Sequence, residues 1–157
     1  MTPAEEHYVH FAECIESLNS AWRILKELDS VAPGVVRAAA YRMALVEYAK
    51  PYKVSFGTHK RGRDGYVLPA PKLPPPDLAL HKQILDLRDQ VLAHSDLTLK
   101  DARVYASRVH GQPLIAIGSS RVSSFPNTAE VIALIERSLD LMYLDLEQLD
   151  EAIAPKA

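Results

Sequence analysis

The stretch LDLRDQVLAHSD, residues 85–96, ends an amphipathic helical pattern with an unusual set of polar side chains. Arg88, Asp89, His94 and Ser95 lie within about two helical turns of one another. A guanidinium can hold a phosphate group, and an imidazole changes its charge near neutral pH. The interpretation of both fold and function therefore starts from this stretch.

The residues before this stretch predict a helix over about 77–93. Leu80, Ile84, Leu87 and Val91 recur at steps of three and four, and His94 continues the same spacing. Asp77 follows a run of prolines and is the expected N-cap of this helix.

Three further segments carry apolar stripes at helical spacing, over about 4–29, 35–49 and 127–153. The predicted stripes consist of Tyr8, Phe11, Ile15, Leu18, Trp22 and Leu25; of Val36, Ala39, Met43 and Val46; and of Ile132, Ile135, Leu139, Met142, Leu146, Leu149 and Ile153. Four amphipathic helices in one chain are typical of an up-down bundle.

Residues 102–124 break this helical pattern. The alternating run RVYASRV, residues 103–109, and the run LIAI, residues 114–117, are separated by His110, Gly111, Gln112 and Pro113, which predicts a small β-hairpin. The predicted fold is therefore mainly all-α, a four-helix bundle with a hairpin inserted before the last helix. The chain of 157 residues is expected to form a single domain over residues 1–157.

Residues 50–76 are basic and aromatic at first and then rich in proline, which excludes a regular helix over this segment. A loop of this length in a small domain is often functional or mobile. Its basic and aromatic residues suit contacts to phosphates and stacking on bases, whereas the alternative is a solvated loop. The candidate RNA-binding residues are Tyr52, Lys53, Lys60, Arg61 and Arg63.

Composition limits the classes of function. The formal net charge is −2, so binding to a polyanion must be local rather than driven by a global basic field. The one cysteine, Cys14, excludes a disulfide framework. Glu5, Glu6, His7 and His10 resemble a metal patch, but a flexible surface N-terminus is the expected structure, and no cofactor is predicted. No apolar run approaches the roughly 20 residues that span a bilayer, and no signal peptide is apparent, so a cytoplasmic protein without membrane contact is expected.

Arg88 and His94 lie six positions apart, or about 120° around a helix, so they do not face the same side. A symmetric dimer would supply a cleft where both groups meet, and a homodimer is expected for that reason. The alternative is structural: His94 bonds a carbonyl at the helix end, and Arg88 with Asp89 forms a solvated charge cluster.

The string RDQVLAHSD, residues 88–96, resembles the R-x(4–6)-H signature of HEPN domains, and in particular the "RDK-x-AHSD" wording of an abortive-infection-associated branch. The string EYAKPY, residues 47–52, is similar to the "Y-A-R-P-F" element upstream in such proteins. These domains are helical bundles of toxin–antitoxin, antiphage and abortive-infection systems. The resemblance covers roughly residues 35–150 in order and helix placement.

The resemblance implies a metal-independent endoribonuclease or an RNA-binding protein. His94 would act as acid or base on the ribose 2′-hydroxyl or on the leaving oxygen, Arg88 would hold the scissile phosphate, and Asp89 would orient the neighbouring groups. RNA and a cognate antitoxin are the implied partners. The alternative is a catalytically silent helical scaffold that binds another protein.

Overall fold

The computed structural model of the chain describes residues 1–60, 65–89, 103–109, 112–118 and 125–153. Within these ranges it contains four α-helices and a two-stranded antiparallel sheet. The helices are α1 (Pro3–Glu27), α2 (Val35–Ala49), α3 (Pro75–Leu87) and α4 (Thr128–Ile153), and the strands are β1 (Arg103–Val109) and β2 (Gln112–Gly118). The mainly helical fold with a hairpin before the last helix is confirmed.

The helix starts follow local capping chemistry. The Thr2 hydroxyl accepts a hydrogen bond from the Glu5 amide, and the Glu5 carboxylate accepts one from the Thr2 amide, so a capping box begins α1. The predicted N-cap, Asp77, is wrong, because α3 already begins at Pro75. Proline suits the first position of a helix, since the N–H that it lacks would have no partner within the helix. The Asp77 carboxylate instead accepts from Arg137 of α4 at 2.6 Å.

The core lies around α1, which packs against both α2 and α4, while α3 packs against α2 and α4. The predicted stripes of α1 and α4 supply much of this core. Their buried members include Phe11, Ile15, Leu18, Leu25, Ile135, Leu139 and Met142. From α3, Ile84 and Leu87 are buried as predicted, and His81 joins them.

The predicted stripe of α2 is wrong. Val36 is 73% exposed and Met43 is also exposed, whereas Ala44, Leu45 and Tyr48 are buried. The helix is apolar on two neighbouring faces, so spacing alone did not select the buried one. The face that carries the larger Leu45 and Tyr48 side chains removes more apolar area from water, and this face meets the core.

The hairpin pairs β1 with β2 in a continuous antiparallel register, from Arg103 opposite Gly118 to Val109 opposite Gln112. It begins and ends close to the residues that the alternating pattern predicted. Val104, Tyr105, Leu114 and Ile115 are exposed on it.

The segment after α2 is anchored to the helices by a few buried residues, while Val54 and Phe56 are exposed. Residues Lys50–Tyr52 form a 3₁₀ turn in which Pro51 and Tyr52 are buried. Ser55 and Tyr66 exchange backbone hydrogen bonds of 2.9 and 2.8 Å, and the Leu68 amide donates to the Pro51 carbonyl. Most of the described residues of the predicted loop, 50–76, are irregular; the exceptions are this turn, the Ser55–Tyr66 bridge and the first residues of α3.

Glu6 holds this segment onto α1. Its carboxylate is 4% exposed and accepts hydrogen bonds from the amides of Thr58 and His59 and from the Tyr66 hydroxyl. Burial raises the pKa of Glu6, but these donors outweigh it, and the pKa lies below its ordinary value. A Cβ added at Gly57 would lie 2.2 Å from the Glu6 carboxylate oxygen, so glycine permits this close approach. The expected flexible N-terminus is thus wrong at Glu6.

We expect Glu6→Gln to loosen this segment, because a neutral amide cannot accept from two backbone amides and the Tyr66 hydroxyl as a carboxylate does. Hydrogen exchange at Thr58 and His59 should quicken by roughly tenfold or more, while exchange in α4 stays unchanged. Glu16→Gln on the exposed side of α1 is the matched control. Equal protection in the wild-type protein and the Glu6 variant would contradict this role.

Candidate functional site

An open groove of about 330 Å³ lies where one face of α1, the 3₁₀ turn after α2 and the end of α3 meet. Its lining carries three cationic side chains, Lys50, Lys53 and Arg88. The lining residues are His10, Glu13, Cys14, Ser17, Lys50, Pro51, Lys53, Val54, Ser55 and Arg88. The groove therefore unites residues from three distant parts of the sequence.

Arg88 and Asp89 continue α3 in a π-type turn, a conformation that often occurs at functional sites. Arg88 donates to one Asp89 oxygen at 2.9 Å, and Lys53 donates to the other. Burial raises the pKa of Asp89, but the hydrogen bonds from Lys53 and Arg88 outweigh it and hold the pKa below its ordinary value. Asp89 thus stays ionised and fixes both cations at the groove.

The charge of the groove is balanced locally. Lys50 contacts the nearly buried Glu47 carboxylate at 2.5 Å, and Asp89 serves Lys53 and Arg88 together. A guanidinium carries five N–H donors in a planar fork. Arg88, whose side chain is 34% exposed, can therefore keep Asp89 and bind a phosphate oxygen at the same time.

His10 of α1 also lines the groove and makes three contacts. Its Nε2 lies 2.6 Å from the Ser55 hydroxyl, its Nδ1 lies 3.7 Å from the Cys14 sulfur, and its ring stacks on Tyr66 with centroids 4.6 Å apart. Burial lowers the pKa of His10, and the nearby His7 and Lys60 lower it further. Burial raises the pKa of the Cys14 thiol to about 11. Near neutral pH the groove therefore holds a neutral imidazole and a protonated thiol.

The structure unites some of the predicted site residues and separates others. One ion-paired cluster contains the predicted catalytic residues Arg88 and Asp89 together with Lys53, which was predicted to bind RNA. Lys60 lies instead over the ring of Tyr66, with its nitrogen 4.6 Å from the centroid. The predicted residues His94, Arg61 and Arg63 lie outside the described part of the chain.

Tyr52 does not offer its ring to a base. It is 8% exposed and packs against Tyr48 and edge-on against His81, with centroids 5.5 and 4.6 Å apart. Burial raises the pKa of Tyr52 to about 12. The expected stacking role is therefore corrected to a role in the core, where aromatic side chains bury more surface than aliphatic ones.

His81 is a second buried imidazole, with its Nδ1 2.7 Å from the Tyr48 hydroxyl. Burial lowers the pKa of His81, and Lys53 lowers it further. Above its ordinary pKa of 6.5 the residue is neutral in both the folded and the unfolded state, so folding costs no free energy of deprotonation. Below that pH the unfolded chain takes up a proton that the folded chain resists, and stability falls as the pH drops through the lowered folded pKa.

We therefore expect the melting temperature to fall as the pH is lowered from 7.5 to 5.5, with His10 and His81 as the groups responsible. In His81→Asn, whose amide can still bond the Tyr48 hydroxyl, this slope should be shallower, although the variant is less stable at every pH. Calorimetry over this range measures both slopes. A melting temperature that is independent of pH in the wild-type protein would contradict the expectation.

Sequence reasoning missed the functional potential of His10 and Ser55. One signal was available: His10, Glu13, Cys14 and Ser17 recur at steps of three and four and draw a polar line along α1. The partner of that line was not readable, since Ser55 reaches His10 only through the docking of its own segment onto α1.

Comparison of the chain with protein-family models, with curated proteins and with solved structures found no match. Among the described residues, no helix is long and apolar enough to cross a membrane. The same ranges contain no group of three or more histidine, cysteine, aspartate and glutamate side chains placed to hold a metal ion.

Proposed function

We propose that this protein binds single-stranded RNA in the groove beside Arg88 and cleaves it as a metal-independent endoribonuclease. The observation that carries the proposal is the convergence of Arg88 and Lys53 on Asp89 at the groove. A planar guanidinium beside an ammonium group matches the oxygens of a phosphodiester.

The surroundings of the groove favour RNA over a small anion. Lys50 adds a third cation to the lining, and Phe56, close in sequence to Ser55, is 62% exposed. Proteins that bind single strands combine cations along the backbone with aromatic rings that stack on bases. Because the net charge is −2 and the groove cations are ion-paired, the attraction must come from donors that stay free, above all those of the Arg88 guanidinium.

The expected chemistry follows from the resemblance to HEPN domains. Arg88 would hold the scissile phosphate and stabilise the charge that develops on it, while His94 would transfer a proton. A homodimer would bring two Arg88 grooves near each other, as the resemblance and the spacing of Arg88 and His94 suggest.

Fluorescence anisotropy with a labelled single-stranded RNA tests the binding. Arg88→Ala should weaken binding roughly tenfold and reduce the slope of log affinity against log salt by about 0.7. The matched control is Arg23→Ala, which removes an exposed arginine of α1 paired with Glu16.

The alternative is a scaffold that binds another protein, and the exposed Val35, Val36 and Met43 on α2 are the observation in its favour. A wild-type protein that binds no RNA at low salt would exclude the RNA proposal. Equal RNA affinity in the Arg88 and Arg23 variants would show that RNA does not bind at this groove.

A further inference from the structure

We propose that His10 and Ser55 form a proton relay on the Arg88 groove and activate the attacking hydroxyl of the RNA substrate. This inference rests on the proposed function and adds two residues to it. It also assigns the ribose 2′-hydroxyl to the His10 side of the groove.

The geometry of the pair fits this role. The Ser55 oxygen and His10 Nε2 are 2.6 Å apart, which is within hydrogen-bond distance, and both residues line the groove that Arg88 and Lys53 also line. A phosphate on Arg88 would therefore share one groove with a hydroxyl that already bonds an imidazole. A reacting hydroxyl needs a base within hydrogen-bond reach, either directly or through one intervening group.

Other contacts fix the orientation of the imidazole. Tyr66 stacks on the His10 ring, and the Tyr66 hydroxyl is anchored to the buried Glu6 carboxylate. Backbone hydrogen bonds between Ser55 and Tyr66 place the serine beside the same ring. The pair is thus preorganised by α1 and by the segment docked on it, which lowers the cost of reaching a reactive geometry.

The surroundings keep His10 able to accept a proton. Among the described residues, the titratable and charged groups around it are His7, Glu13 and Cys14 on α1, Lys50, Lys53, Lys60 and Tyr66 after α2, and Arg88 at the end of α3. Burial and the nearby cationic groups favour the neutral imidazole. A neutral Nε2 accepts the Ser55 proton, whereas an imidazolium could not.

The reaction step conserves atoms and charge. The 2′-hydroxyl gives its proton to the Ser55 oxygen as the Ser55 proton moves to His10 Nε2. The 2′-oxygen then forms a bond to phosphorus, and the bond from phosphorus to the 5′-oxygen breaks. The departing 5′-oxygen keeps the electron pair and takes a proton from water. The products end in a 2′,3′-cyclic phosphate and a 5′-hydroxyl, and DNA cannot react.

The test compares His10→Gln, Ser55→Ala and Ser55→Thr with the wild-type protein. We expect His10→Gln to lower the rate of RNA cleavage by about 10²- to 10⁴-fold while RNA binding stays within a few-fold of wild type. Ser55→Ala should lose much of the rate, and Ser55→Thr, which keeps a hydroxyl, should recover it. In the wild-type protein the rate should fall at acidic pH as His10 becomes protonated, and this acidic limb should vanish in His10→Gln. His59→Gln, which changes an exposed imidazole, is the matched control.

The outcomes separate this inference from the proposed function. RNA cleavage that survives unchanged in His10→Gln and Ser55→Ala would overturn the relay and leave the ribonuclease proposal standing. Wild-type protein that binds RNA without cleaving it would overturn the relay and leave RNA binding standing. Wild-type protein that does not bind RNA would overturn both. Cleavage products with a 3′-hydroxyl end would also overturn the relay, because the 2′-oxygen would not have attacked.

Discussion

Replacing His94 with alanine is expected to lower the rate of RNA cleavage by about 10²- to 10⁴-fold, because the change removes the proton-transfer group of the proposed function. Arg88→Ala should cost about 10²- to 10³-fold, because a preorganised donor to the developing phosphate charge is lost. Cleavage of a labelled RNA, followed by gel electrophoresis under single-turnover conditions, measures both effects.

The controls for this first prediction address metal and folding. Cleavage should persist in excess EDTA, since the proposed chemistry uses side chains alone. Far-ultraviolet circular dichroism should show unchanged helix content in both variants. A wild-type rate that chelation abolishes, or a His94→Ala rate equal to that of wild type, would contradict the Arg88–His94 proposal.

The second prediction concerns the core that carries the groove. Leu18 is fully buried on α1, the helix that packs against both α2 and α4. We expect Leu18→Ala to lower the free energy of unfolding by about 2–5 kcal/mol, because the truncation removes buried apolar area and leaves a cavity.

The matched control is Leu144→Ala, which removes the same atoms from an exposed position of α4. Its free energy of unfolding should change by no more than about 0.5 kcal/mol. Urea denaturation of the two variants at pH 7.5 measures the difference. Similar losses of stability in both would show that α1 is not the centre of the core.

The fold was predictable where one apolar face dominates a helix. Leu18 and Leu25 on α1 belong to a stripe whose opposite face is largely polar, so spacing alone identified their burial. In α2, two faces are apolar, and Leu45 is buried while Met43 is exposed because of the way α2 packs against α1 and the docked segment. The burial of one face therefore depends on the packed bundle and could not be predicted from the helix alone.

The site was predictable only in part for a similar reason. Arg88 and Asp89 were identified because they lie in one short string with a recognisable spacing. The meeting of Asp89 with Lys53, and of His10 with Ser55, required the segment after α2 to fold back over α1. That docking depends on Glu6, a charged residue whose burial no periodic pattern indicates, because its donors are backbone amides far along the chain.

Asp89 has one more consequence, which concerns selectivity. With this carboxylate in place, the empty groove already contains a counter-ion for Lys53 and Arg88. A chloride or another monovalent anion would gain little binding free energy there, because it would have to displace the Asp89 carboxylate, which is part of the chain. A polymeric ligand with several phosphates can offset that competition by contacting Lys50 and the neighbouring cations at the same time. If the groove binds phosphates as proposed, we expect it to favour polyvalent over monovalent ligands, and we expect Asp89→Asn to admit simple anions as well.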